Sequence, residues 1–157
     1  MKKLRKLITE LENRIAKMDV RNETVSKSAV GWHIEHALLT LHLIIHAVKN
    51  SDPKQYAWKF NFWKTIVFAL NKIPRGKAKA PKVVQPKEDF TIDTLRTRLH
   101  TVKDSLNELS IAHPDKYFDH PYFGKLNVKP TIKFLGIHTK HHLKIIGDIL
   151  KAEERKK

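Results

Sequence analysis

Apolar positions recur at i, i+3, i+4 and i+7 along most of this chain, the spacing that lays one stripe down an α-helix. Leu4, Leu7, Ile8, Leu11, Ile15 and Met18 form such a stripe with charged residues behind it, which predicts a first helix from about Lys2 to Met18. Asp19 to Thr24 reads as a polar connection. Ala29, Trp32, His36, Leu39 and Leu43 follow one face of a second helix, from about Ser28 to Lys49. Ile34, Leu38, Leu41 and Ile45 take its other faces, so this helix is apolar nearly all round and is expected to be the most buried element.

Asn50, Ser51, Asp52 and Pro53 stop that helix by turn chemistry. An aromatic patch follows, Tyr56, Trp58, Phe60, Phe62 and Trp63, and leads into a short helix over Thr65 to Lys72. Pro74 to Lys87, with three prolines, one glycine and many lysines, predicts an irregular surface excursion. Leu95, Leu99, Val102, Leu106 and Leu109 give a third long helix from Thr91 to Leu109. Residues 113 to 130 are punctuated by Pro114, Pro121 and Pro130 and read as a second long connection. The last helix is expected from Pro130 or Thr131 to Glu153, proline being well placed at a first helical position. The fold class is therefore all-α, a four-helix bundle with long irregular connections.

The 157 residues fit one domain with a real core, and no internal repeat is visible. The absence of cysteine excludes disulfides, thiolate metal sites and a cysteine nucleophile, so any metal here must take nitrogen and oxygen ligands. The basic start Met1-Lys2-Lys3-Leu4-Arg5-Lys6 is not followed by an uninterrupted apolar core, and the stretch Ala37 to Val48 is too short to span a bilayer. A cytoplasmic protein with no membrane partner is expected. The net charge of +15 attracts polyanions at long range. The bases are spread through nearly every segment, however, which suits a solvated surface better than a nucleic-acid footprint.

Candidate chemistry sits in the histidines. His138 and His142 are four residues apart inside the apolar stripe Phe134, Leu135, Ile145, Ile146 and Ile149, so both rings share the core face of the last helix. Two unpaired imidazoles there carry a desolvation cost that a shared divalent metal ion removes by binding the neutral forms. His36, on the second helix, is the best third ligand. Three nitrogens leave a coordination position for water or substrate, as in catalytic sites. His33 and His141 are spare candidates expected at the surface or behind the ligands. His42 and His46 form a further i, i+4 pair that periodicity alone does not exclude. Glu35 is a candidate partner or base, but adjacent helical residues point about 100° apart, so it does not share the ligand face of His36. Asp148 reads as a surface or capping charge.

Gly31-Trp32-His33-Ile34-Glu35-His36, His120 to Leu126 and His138 to Ile146 together resemble the DinB-like superfamily, nearest to its uncharacterised bacterial branch with a His-x-x-His-His-Leu ending. The resemblance covers most of the chain in order and spacing. It implies a four-helix bundle that holds a divalent ion, zinc or nickel, through three histidines, and by position those are His36, His138 and His142. Some relatives are hydrolases or transferases acting on low-molecular-weight thiols, which implies a small substrate, anionic or thiol-containing. Leu143, Lys144 and Ile145 stand where many members carry Arg-Gly-Gln, a departure that bears on transferase-type contacts and leaves the ligand positions in place.

Other features are weighed against this site. His120 to Gly124 reads equally as an aromatic lid over the pocket and as a turn anchored by two buried rings. Arg75 to Lys82 can grip a phosphate or carboxylate, although such runs are usually solvated loop. The competing function class is a basic module that binds nucleic acid or another polyanion, with the histidines as buried structure. An exposed apolar helix face would make a homodimer unsurprising.

Overall fold

The computed structural model describes residues 1–76, 80–87 and 90–156. Its elements run in the order α1 (Lys2–Glu12), α2 (Val30–Asn50), α3 (Phe62–Leu70), α4 (Ile92–Ile111), β1 (Tyr117–His120), β2 (Gly124–Asn127) and α5 (Val128–Glu154), with short 3-10 turns at Ile15–Lys17, Pro53–Gln55 and Lys82–Val84. Four helices make the bundle: α2 packs against α4 and α5, and α1 against α5 and α4. The short α3 lies outside, against α5.

Helix α2 is the centre of the core, with 13 of its 21 residues buried, as an element that is apolar all round must be. Ile34, Ala37, Leu38, Leu41 and Val48 are fully sealed from water, while Leu39 and Leu43 are only partly covered. Each sealed Leu or Ile contributes roughly 1.5–3 kcal/mol of burial. Ala29 provides no side-chain cap, and the first amides of α2 are satisfied by the preceding loop instead: Val30 N–H donates to Val20 O (2.9 Å) and Gly31 N–H to Met18 O (2.8 Å). Glycine at position 31 is what permits this approach, since a Cβ there would lie 3.1 Å from Met18 O and 2.6 Å from Phe90 Cε2. The loop thereby fixes where α2 starts, and hence where its histidines point.

Two expectations from periodicity are corrected. The first helix ends at Glu12 rather than Met18, and the chain tightens into a 3-10 turn through Arg14, Lys17 and Met18. Residues i and i+3 eclipse in a 3-10 turn, so Ile15 and Met18 stay inward and the apolar spacing does not register the change. The connection over residues 113 to 130 is not irregular throughout: Tyr117–His120 pairs antiparallel with Gly124–Asn127, and Gly124 takes φ +69° at the turn, where a side chain would be strained. Its inner residue Leu126 is fully buried, and Thr131 Oγ1 donates to Leu126 O at 2.8 Å, which pins the hairpin to the start of α5. Helix α5 begins at Val128, two residues before Pro130, and still within the first turn where proline costs no hydrogen bond. Among the described residues, no helix is long and apolar enough to cross a membrane.

Candidate metal centre

His36 on α2 and His138 and His142 on α5 come together, each offering one ring nitrogen, with those nitrogens all within 4.8 Å of one another. The ring centroids stand 5.1 Å (36–138), 4.6 Å (36–142) and 4.7 Å (138–142) apart. His36 and His142 are buried. His138 keeps part of its surface in contact with solvent, whereas its Nδ1 is sealed from it.

The surroundings hold each ring. Trp32, one turn before His36, stacks on it at 5.1 Å with planes 7° apart. His36 Nδ1 donates to Val84 O at 2.7 Å, which leaves Nε2 as a bare lone pair directed at Nε2 of His138, 3.2 Å away. A ligating histidine commonly donates its other N–H to a carbonyl in this way. His142 Nδ1 lies 3.1 Å from His33 Nδ1, and His33 Nε2 lies 2.9 Å from Ser26 Oγ. With the proton of His142 on Nδ1, the chain of bonds is consistent throughout: His142 donates to His33, and His33 donates to Ser26, whose oxygen also receives the Ser28 amide. Nε2 of His142 is then free to ligate.

Burial keeps all these rings neutral. Desolvation pushes His33 down to about 4 and lowers His36 against the opposing Val84 carbonyl. His138 and His142 are pushed far below the usual imidazole range, first by desolvation and then by neighbouring histidines. Arg75 adds its positive field at His33 and His141 while paired to Asp148 at 2.6 Å. Neutral imidazole is the form that binds a metal.

The donor set fits a divalent ion. Neither tautomer of His138 satisfies both its nitrogens, because Nδ1 has no partner among the described residues and Nε2 faces the lone pair of His36. Metal–nitrogen bonds of about 2.0–2.1 Å set tetrahedral ligands about 3.4 Å apart, so drawing the three rings onto one ion takes movements on the order of 1 Å. Three imidazoles, with no thiolate and no carboxylate beside them among the described residues, suit a first-row divalent ion of the kind imidazole favours.

The other sequence candidates are placed elsewhere. His33, a spare by its spacing, is buried behind His142, and its i, i+3 relation to His36 was the available signal. His141 sets its edge against His142 at 5.2 Å. His42 and His46 are 6.5 Å apart, and His46 is exposed and bonded to Asn50. Glu35 turns to Arg98, which donates to it at 2.7 Å, so it serves no histidine. His120 had been read only as part of a loop; it is buried, stacked on Phe123 at 4.2 Å and edge-on to Phe134 at 4.6 Å, and burial holds it at about 4. Its Nδ1 accepts the Tyr122 amide, while the Tyr122 ring is exposed. Lys77, Ala78 and Lys79 of the basic run lie outside the described residues.

The model of the DinB superfamily matches residues 2–146. The chain belongs to the DinB superfamily. It is similar to the uncharacterized protein YuaE of Bacillus subtilis (strain 168), 32% identical over 85 residues, which cover 51% of this chain and 52% of that one. The match thus spans about half the length of this curated relative. No solved structure gives a significant match.

Proposed function

We propose that the chain is a metal-dependent enzyme in which His36, His138 and His142 hold one zinc or nickel ion, open on one side to water or to a small anionic or thiol-bearing substrate. The observation that carries this is the meeting of three neutral ring nitrogens from two helices with no fourth protein ligand among the described residues. The bound ion would supply Lewis acidity, either toward water for hydrolysis or toward a substrate thiol for transfer.

The protein's own residues do the rest. The Val84 carbonyl and the His33–Ser26 chain hold two ligands in one tautomer, so no reorientation is needed when charge develops at the centre. Trp32, Phe134 and the hairpin rings exclude water from the buried side. The guanidinium of Arg75, although paired to Asp148, still acts on His33 and His141 and adds positive potential beside the ligands.

Cobalt(II)-substituted protein titrated with cysteine, and separately with azide, tests the open position. A change in the visible spectrum with either probe is expected, and its loss in His142→Ala. A spectrum indifferent to both would mean a closed centre and would overturn the reading. The net charge of +15 supports a second reading, a polyanion-binding module; nucleic-acid retention that survives His138→Ala and His142→Ala would favour it.

A further inference from the structure

The surface anomaly of this molecule is the segment from Pro53 through α3. Trp58, Phe60, Phe62, Trp63 and Leu70 are each at least 60% exposed, while every long helix buries its apolar stripe. Only Val67 of α3 is buried. Isolated exposed hydrophobics need no explanation, but five within thirteen residues form a patch, and patches mark contact surfaces. The charge around it is one-sided. Lys54, Lys59, Lys64 and Lys72 are interleaved with the rings, and the sequence holds no acidic residue between Asp52 and Glu88.

We propose that this patch seats the protein on an anionic phospholipid surface, with the Trp and Phe rings at headgroup depth and the lysines at the phosphates. Amphipathic rings and basic residues together are the combination that interfacial segments use, and such an association needs no spanning helix. Charge complementarity selects this occupant. A second copy brings mainly lysine to lysine, since the segment itself contributes no acid to pair with, and each copy already carries +15. A single-stranded nucleic acid needs free ring faces. Here Lys64 Nζ lies over the Trp58 ring at 5.7 Å, Phe62 and Trp63 meet edge to face, and Leu70 offers a base nothing to stack on. Lipid accepts all three.

The segment is tied to the body rather than loose. Asn61 Oδ1 caps α3 at the Lys64 amide, and Asn61 Nδ2 donates to Tyr122 O at 2.9 Å, so the rings are held outward before any lipid is met.

The test is sedimentation of the full chain with vesicles of equal phosphatidylglycerol and phosphatidylcholine, against vesicles of phosphatidylcholine alone. Binding to the anionic vesicles should exceed that to neutral ones by at least about tenfold at low salt and fade as salt is raised. Tryptophan emission should shift to the blue on the anionic vesicles. Trp58→Ser with Trp63→Ser should lose both effects, and Lys59→Gln or Lys64→Gln should each weaken binding by about fivefold. Trp58, Trp63 and Lys59 are exposed and Lys64 is half-buried with its ammonium at the surface contacts of Lys59 O and Trp58, so helical circular dichroism should match wild type in every variant. Equal binding to both vesicles, unchanged binding in the double Trp variant, a dimer in sedimentation equilibrium that the same variant dissolves, or single-stranded oligonucleotide retained by the same rings would each overturn the proposal.

Discussion

Acid should destabilise the metal-free protein steeply, and the size of the effect follows from two buried rings. His33 and His120 are both held at about 4, against 6.5 in the unfolded chain, chiefly by desolvation. At pH 7 both rings are neutral in the folded chain and mostly neutral in the unfolded one, so they contribute little. As pH falls below 6.5 the unfolded chain takes up protons that the folded chain refuses, so stability is lost, and the loss continues until pH reaches about 4. Between pH 7 and pH 5 each ring removes about 2 kcal/mol, at about 1.4 kcal/mol per unit. The pair removes about 4 kcal/mol, a large share of the roughly 5–15 kcal/mol that holds a domain together. His36, His138 and His142 are lowered as well and act in the same direction.

Urea unfolding of chelator-treated protein at pH 7 and pH 5 measures this loss. His120→Phe provides the internal control. The ring sits between Phe123 and Phe134, so phenylalanine keeps the packing and removes one titrating group. The loss should then shrink by about 2 kcal/mol. Equal stability at the two pH values, or a loss unchanged in His120→Phe, would refute the claim that burial keeps these imidazoles neutral.

Other perturbations have defined outcomes. His33→Ala removes the group that His142 donates to and should weaken metal affinity by about 10- to 100-fold in competition with a chromogenic chelator, with stoichiometry at saturation unchanged. Leu38→Ala, at a fully sealed position of α2, should cost about 2–5 kcal/mol and lower Tm by roughly 5–15 °C in calorimetry. Gly31→Ala should destabilise by about 1–3 kcal/mol despite alanine's better helix propensity, because Met18 O, already accepting the Gly31 amide, has little room to yield to a Cβ; a rise in Tm would show that the loop adjusts freely.

Local spacing made the long helices legible. The boundaries of α2 and α4 fall within two residues of those expected, because Leu95, Leu99, Val102, Leu106 and Leu109 leave one inward face available. The pair His138 and His142 was readable for the same reason, since one helix suffices to align them. The extent of α1 was not, because Ile15 and Met18 keep their side in a 3-10 turn as in an α-helix. The hairpin escaped because its four-residue strands carry no sustained alternation: Tyr117 and Phe118 are adjacent and both half-buried. His33 illustrates the limit at the site. Its i, i+3 relation to His36 was visible, but its burial depends on Ser26 from the preceding loop and on His142 from α5, more than a hundred positions later. Arg75 and Val84 act on the site from a proline-rich excursion that has no periodicity to read.

Metal content decides the central claim. Elemental analysis after reconstitution with zinc or nickel near neutral pH and desalting should give one ion per chain for wild type, and next to none for His36→Ala, His138→Ala or His142→Ala, with His46→Ala unaffected. Wild-type protein that emerges without metal, or a His36→Ala variant that retains a full equivalent, would contradict the account.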